Sequence, residues 1–165
     1  THQWDSAMAW RGWHDAEGRR DQQKTELACH YIKSYGFQIT DDNPRVKDFD
    51  AIVELCHERG WNLVFNLMAE NVDKANALVG KDLMFLMQRN REYLLNRYGH
   101  LEGVAIVDNF DLVRDAEFID QNWTTEHYYE YGRRLIAHHL AQTLRQFYPT
   151  NYHDPDSLRF APQRQ

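Results

Sequence analysis

Short continuous apolar runs alternate along this chain with stretches of helical periodicity, and this pattern predicts an α/β fold. The two runs, 61–68 and 103–108, are nearly all apolar, as is typical of strands buried on both faces of a parallel sheet. Apolar positions spaced three and four residues apart predict the helices around them. The predicted helices are 21–35, 46–59, 73–98 with a break near Gly80, and 128–147.

Alternating helices and strands predict a parallel sheet with right-handed crossovers, in a three-layer, flavodoxin-like arrangement. Only two strong strands are present, whereas an open sheet typically has about four to six. Residues 37–40 could add a short strand or form an extended arm. We therefore predict a partial α/β domain over residues 1–149. Residues 1–20 are expected to be irregular or a short helix, and 150–165 to be a polar tail.

Composition and charge narrow the class of protein. Hydrophobic residues make up 42% of the chain and charged residues 27%, as in folded globular domains. The net charge of −6 is poorly suited to binding phosphates, so no nucleic-acid partner is expected. No apolar run approaches the roughly 18 residues that span a bilayer, so no transmembrane segment is expected in this chain. Cys29 and Cys56 are expected to be buried free thiols, with a disulfide as the alternative.

Polar residues follow both predicted strands, at the edge of the sheet where open α/β folds bind ligands. The rule selects segments 68–73 and 108–111, which carry carboxylates and amides. Asn66 and Asn71 are candidates for substrate contacts. The alternative is that Asn71 or Asp73 caps the next helix.

A histidine stands in the aromatic-rich segment between the last strand and the last helix. At such a turn the ring of His127 can face a cleft and accept a proton, because imidazole titrates near neutral pH. A nearby carboxylate would fix its tautomer, and Asp120 and Glu126 are both close in sequence. The alternative is a packing or capping role at the start of the helix.

Metal ligation is not expected, although the chain has nine histidines. His138 and His139 are neighbours on a predicted helix, so their side chains point about 100° apart and do not share an ion easily. The sequence has neither a His-x-x-x-His pair nor a Cys-x-x-Cys pair, the spacings that metal sites commonly use.

The residues around His127 resemble the last block of the SGNH hydrolases. An acidic residue and an aromatic-rich turn precede His127, and Gly132 and the apolar helix 133–137 follow it. Segment 61–71 is similar to the later strand of the DltD-like branch of that superfamily. The likeness covers roughly residues 45–147.

The resemblance implies an SGNH-like fold and acyl transfer through a serine. His127 would be the general base, oriented by Asp120 or else by Glu126. The substrate would be an acyl-bearing small molecule or an envelope glycan or polymer, outside the cytoplasm in the periplasm or at the cell surface, and no cofactor is implied. Two departures stand out: the family's Asp lies three residues before its His, where this chain has Thr124, and its Gly-Asp-Ser block has no counterpart here.

The missing block leaves the nucleophile unassigned. The serines are Ser6, Ser34 and Ser157, and the pair Asp5-Ser6 has no strand before it. We therefore expect the nucleophile on a segment outside this chain.

Two other interpretations remain open. One is a non-catalytic carbohydrate- or protein-binding domain on a degenerate SGNH scaffold. Trp4, Trp10 and Trp13 would then offer a stacking surface for sugar rings, unless they cover an apolar edge. The other is a flavodoxin-like regulatory or partner-binding domain, which needs no catalytic histidine and which a buried His127 would favour. In either case an exposed sheet edge would favour a homo-oligomer.

Overall fold

The computed structural model describes residues 2–147, and within them six helices and two small sheets form a mixed α/β fold. The predicted α/β class is thus confirmed, and the predicted tail, 150–165, lies outside the described residues. The helices are α1 (His2–Arg11), α2 (Gln22–Tyr35), α3 (Pro44–Arg59), α4 (Val72–Leu78), α5 (Lys81–Tyr98) and α6 (Glu130–Leu144). The strands are β1 (Trp13–His14), β2 (Arg20–Asp21), β3 (Leu63–Leu67) and β4 (Val104–Asp108), and a 3-10 helix spans Asp115–Glu117.

The two predicted strands pair in parallel, as β3 and β4. Their register places Leu63 opposite Val104 and Leu67 opposite Asp108. The expectation of strands buried on both faces holds only in part, since every residue of β3 is half-buried. In the part of the chain that the structure describes, β4 is the only strand hydrogen-bonded to β3, so the other edge of β3 has no neighbouring strand.

Helices contact both faces of this strand pair. Successive side chains of a strand point to opposite faces. The ring of Phe65 packs against Phe49 of α3 and Tyr98 of α5, with centroid distances of 5.5 and 5.0 Å. Its neighbour Asn66 faces the other side, where hydrogen bonds connect it to α6 through Asn109.

Short polar side chains determine where α2 and α3 begin. Asp21 caps α2 by accepting a hydrogen bond from the backbone N–H of Lys24, and Asn43 caps α3 ahead of Pro44. Such caps satisfy backbone donors that have no partner in the first turn. Gly60 ends α3 in the left-handed region at φ 63°, where glycine carries little steric penalty.

Buried residues form two clusters. The larger one lies among α1, α2, α4, α5 and the segment after β4, and the smaller one supports the start of α6. The larger cluster comprises Met8, Leu27, Ala28, Tyr31, Ile32, Ala75, Leu78, Leu83, Met87 and Phe110. The smaller comprises Ala69, Val113, Phe118, Tyr128 and Ile136.

The structure decides between the alternatives that the sequence left open for two segments, 1–20 and 37–40. Residues 1–20 are not irregular throughout, since they contain α1 and strand β1, which pairs with β2. Residues 37–40 do not form a strand: Phe37 lies in a bend, and 38–40 have no regular secondary structure. The side-chain amide of Asn90 accepts from the N–H of Ile39 and donates to the carbonyl of Phe37, both at 2.8 Å. It supplies the hydrogen bonds that a neighbouring strand would make.

Both cysteines are free and half-buried. Cys29 lies on α2, where burial raises the pKa of its thiol. Among the helices of residues 2–147, none has the length and apolar character needed to cross a bilayer.

Candidate functional site

Residues 119–127 form a closed loop at the start of α6, which we call the His127 loop. Its two ends are joined by an antiparallel bridge between Phe118 and Tyr128. The N–H of Ile119 donates to the carbonyl of His127 at 2.8 Å. Phe118 and Tyr128 are both buried, and their rings meet edge to face at 5.2 Å. The loop therefore rests on a packed aromatic pair.

Tyr128 also ties the loop to the sheet. Its hydroxyl donates a buried hydrogen bond of 2.8 Å to the carbonyl of Ala69. Ala69 lies two residues beyond the last residue of β3. The His127 loop is thus held near the carboxyl end of the parallel strands, the edge at which α/β sheets bind ligands.

Asp120 and His127 form a hydrogen-bonded pair on this loop. The Oδ2 atom of Asp120 lies 2.5 Å from Nδ1 of His127, and the histidine side chain is 68% exposed. The hydroxyl of Thr125 donates to the same Oδ2 atom at 2.8 Å. The hydrogen bond from Thr125, followed by that from His127, lowers the pKa of Asp120 below its usual range. Asp120 is therefore ionised at neutral pH.

The ionised carboxylate decides which ring nitrogen carries the proton. A carboxylate can only accept hydrogen bonds, so Nδ1 of His127 must donate. In the neutral ring this leaves the lone pair on Nε2. A histidine with a free Nε2 lone pair, a tautomer fixed by a carboxylate and a ring open to solvent is chemically able to act as a general base.

Glu126, the other carboxylate considered from the sequence, is exposed and is not hydrogen-bonded to His127 within residues 2–147. Its charge acts instead on the phenol of Tyr35 and on the carboxyl of Glu70, whose pKa values it helps to raise. The structure thus brings Asp120, and not Glu126, to the histidine.

Helix α2 contacts the outer part of the His127 loop. The ring of Trp123 lies 4.0 Å, centroid to centroid, from that of His30. The hydroxyl of Thr124 lies 3.2 Å from that of Ser34. The loop thus contacts α2 through the side chains of Trp123 and Thr124.

A second anchor joins the loop to α4. The Nζ atom of Lys74 bonds the side chain of Gln121 and its carbonyl, and lies 3.1 Å from the carboxylate of Asp115. The side-chain amide of Gln121 donates to the carbonyls of Asp115 and Phe118 at 2.9 and 2.8 Å. The loop therefore contacts both α2 and α4 through residues 121–124, which lie between Asp120 and His127 in sequence.

Glu70 is a carboxyl beside the loop that sequence reasoning did not single out. The hydroxyl of Tyr35 on α2 donates to it. Burial raises the pKa of Glu70 to about 7, opposed by the hydrogen bond from Tyr35 and reinforced by the charge of Glu126. The segment that contains Glu70 is selected by the rule that ligands bind beyond the carboxyl ends of strands. The burial of the Glu70 carboxyl, however, depends on α2, which comes from a distant part of the sequence.

Asn71 is the N-cap of α4. Capping was the alternative to the substrate contact that the sequence suggested for this residue. Its Oδ1 accepts from the backbone N–H of Lys74 at 3.1 Å, and its Nδ2 donates to Asp115 at 2.7 Å. Both ends of this buried amide are thus occupied by the protein itself.

Asn66, the other predicted substrate contact, connects β3 to α6. Its Oδ1 accepts from Nδ2 of Asn109 at 2.7 Å, and Oδ1 of Asn109 accepts from Nδ1 of His139, also at 2.7 Å. Asn109 is fully buried. Across residues 2–147, no hydrogen bond connects Asn66 to Asp120 or His127.

The remaining candidate residues lie elsewhere. Ser6 is exposed on α1, and Ser157 lies outside the described residues. Trp4 and Trp13 are partly buried and pack on the larger cluster, so they cover an apolar edge, whereas Trp10 is 88% exposed. In the described part of the chain, no three His, Cys, Asp or Glu side chains are grouped as metal ligands.

Comparison of the chain with family models, with curated proteins and with solved structures found no match. The resemblance to SGNH hydrolases therefore rests on the residues around His127 and stays a prediction.

Proposed function

We propose that this chain is the C-terminal, histidine-bearing part of an SGNH/DltD-like acyl esterase or acyltransferase, whose serine nucleophile lies on a segment outside these 165 residues. The observation that carries the proposal is the hydrogen bond between Asp120 and Nδ1 of His127, on an exposed ring near the carboxyl end of the strands. This exposure also favours a catalytic role over the regulatory or partner-binding domain, which a buried His127 would favour.

In the proposed reaction, Nε2 of His127 accepts the proton of the serine hydroxyl as the serine oxygen attacks the acyl carbonyl. The tetrahedral intermediate collapses, the ester C–O bond breaks, and the leaving alcohol takes the proton from the imidazolium. Water in an esterase, or an acceptor hydroxyl in a transferase, then releases the acyl group by the same steps. Asp120 holds the tautomer and stabilises the imidazolium.

The exposed parts of the scaffold support the proposal of a partial domain. Every residue of β3 is half-buried, and Ile52 and Leu55 on α3 are 42% and 44% exposed. Further strands beside β3, as in a three-layer SGNH-like sheet, would cover such surfaces. By the same family likeness, we propose an acyl-bearing small molecule or an envelope glycan or polymer as substrate, outside the cytoplasm.

Ester hydrolysis tests the proposal, measured on the intact protein, by which we mean this chain together with the segment proposed to carry the serine. We expect it to hydrolyse a short-chain p-nitrophenyl ester, and His127→Ala to lower kcat/KM by about 10²–10⁴-fold, the usual contribution of a general base. His100→Ala, which removes an exposed histidine two residues beyond α5, is the matched control and should retain activity. A His127→Ala variant as active as the wild type would contradict the proposal.

A non-catalytic carbohydrate-binding domain is the second candidate, because Trp123 is 53% exposed on the His127 loop itself. Exposed aromatic rings provide apolar faces for stacking ligands. Glycan binding that Trp123→Ala abolishes, in a protein without esterase activity, would favour this candidate.

A further inference from the structure

The two adjacent threonines of the His127 loop have different partners. The hydroxyl of Thr124 faces Ser34 on α2, at 3.2 Å. The hydroxyl of Thr125 donates to Oδ2 of Asp120 at 2.8 Å, the same oxygen that accepts from Nδ1 of His127. One carboxylate oxygen thus receives both donors.

A second donor matters because Asp120 is partly exposed. Its side chain is 38% exposed and that of His127 is 68% exposed, so water competes for the bond between them. A carboxylate held by one hydrogen bond at the surface can turn about its side-chain torsions, and ordering it costs conformational entropy. The hydroxyl of Thr125 adds a second point of attachment. It also donates to the charged form, which keeps Asp120 an acceptor.

We propose that Thr125 is a positioning residue, whose hydroxyl holds Asp120 in the orientation that keeps the neutral ring of His127 in its Nδ1–H tautomer. The role of this tautomer in acyl transfer rests on the function proposed above. The positioning itself does not, because it is measurable on this chain without a substrate.

The chain offers closely matched variants for the test. Thr125→Val removes the hydroxyl and keeps the branched shape, and Thr125→Ser restores a hydroxyl. Thr124→Val makes the same change one residue away, at a hydroxyl that does not contact Asp120. Asp120→Ala gives the reference state in which His127 has lost its carboxylate partner.

The readout is the tautomer of His127, measured from its ring ¹⁵N chemical shifts at a pH where the ring is neutral. We expect Nδ1–H to be the major form in the wild type, in Thr125→Ser and in Thr124→Val. In Thr125→Val the major form should change to Nε2–H, as in Asp120→Ala, because the proton stays on Nδ1 only while Asp120 is held in place to accept from it, and an unpartnered imidazole side chain favours the Nε2–H form.

An unchanged Nδ1–H majority in folded Thr125→Val would overturn the positioning role. So would an equal loss in Thr124→Val, because the effect would then belong to the loop as a whole. The expected tautomer change in a protein without esterase activity would uphold the positioning role while contradicting the proposed function. Esterase activity of the intact protein together with an unchanged tautomer in Thr125→Val would uphold the proposed function while contradicting the positioning role of Thr125.

Discussion

At the scale of single residues, two carboxyl groups beside the same loop have pKa values shifted in opposite directions. Hydrogen bonds from Thr125 and His127 lower the pKa of Asp120. Burial raises the pKa of Glu70 to about 7. Local surroundings therefore keep Asp120 ionised, while Glu70 is about half-protonated near neutral pH.

Glu70→Gln should stabilise the protein at alkaline pH. Because the folded-state pKa of about 7 lies above the unfolded value, the stabilising contribution of Glu70 is fully present below the unfolded pKa. It is lost as the pH rises through 7. A neutral amide avoids this loss, so we expect a gain in unfolding free energy of up to about 3 kcal/mol at pH 8 and no gain near pH 4.

Urea unfolding at both pH values measures this difference. Glu58→Gln, an exposed change on α3, is the control and should have little effect. Equal stability of Glu70→Gln and wild type at pH 8 would show that the carboxyl of Glu70 is not held in a buried site.

The pairing of Asp120 with His127 could be proposed from sequence only as one of two choices. Glu126 is adjacent to the histidine, while Asp120 is seven residues away. The deciding factor is the bridge between Phe118 and Tyr128. It brings the ends of the loop together, and no local periodicity indicates it.

At the scale of elements, α6 and the His127 loop depend on how Tyr128 is buried. This residue directly precedes the cap of α6, contacts Phe118 and donates its hydroxyl to Ala69 beyond β3. It joins loop, helix and strand end in one side chain.

Tyr128→Phe should therefore destabilise the protein by about 1–3 kcal/mol, because the buried carbonyl of Ala69 would lose its partner. Tyr129→Phe, at a 52% exposed neighbour, is the matched control and should change stability by less than about 0.5 kcal/mol. Denaturant unfolding of both variants measures the two effects. A loss no larger in Tyr128→Phe than in Tyr129→Phe would contradict the role of this hydrogen bond.

The elements were predictable where local signals agree. Gly80 separates α4 from α5 as expected, and the two apolar runs are β3 and β4. Residues 37–40 remained ambiguous because their hydrogen bonds go to the side chain of Asn90, 51 residues beyond Ile39. Such a long-range side-chain partner leaves no periodic pattern in the sequence.

At the scale of the whole molecule, the parallel sheet of the described residues has two strands, fewer than such apolar strand sequences lead one to expect. The sequence predicts strands buried on both faces, but β3 has one paired edge among residues 2–147 and is half-buried throughout. The number of neighbouring strands is a property of the assembled sheet and not of one strand's sequence. This difference is what leads us to propose a larger SGNH-like domain around the Asp120–His127 pair.

Labelling of the intact protein with a fluorophosphonate probe, followed by mass spectrometry of the labelled peptide, tests this central proposal most directly. We predict that one serine is labelled, that His127→Ala slows its labelling by about 100-fold or more, and that His100→Ala leaves the rate unchanged. Labelling as fast in His127→Ala as in the wild type, or no labelled serine at all, would contradict the proposal that His127 activates a serine nucleophile.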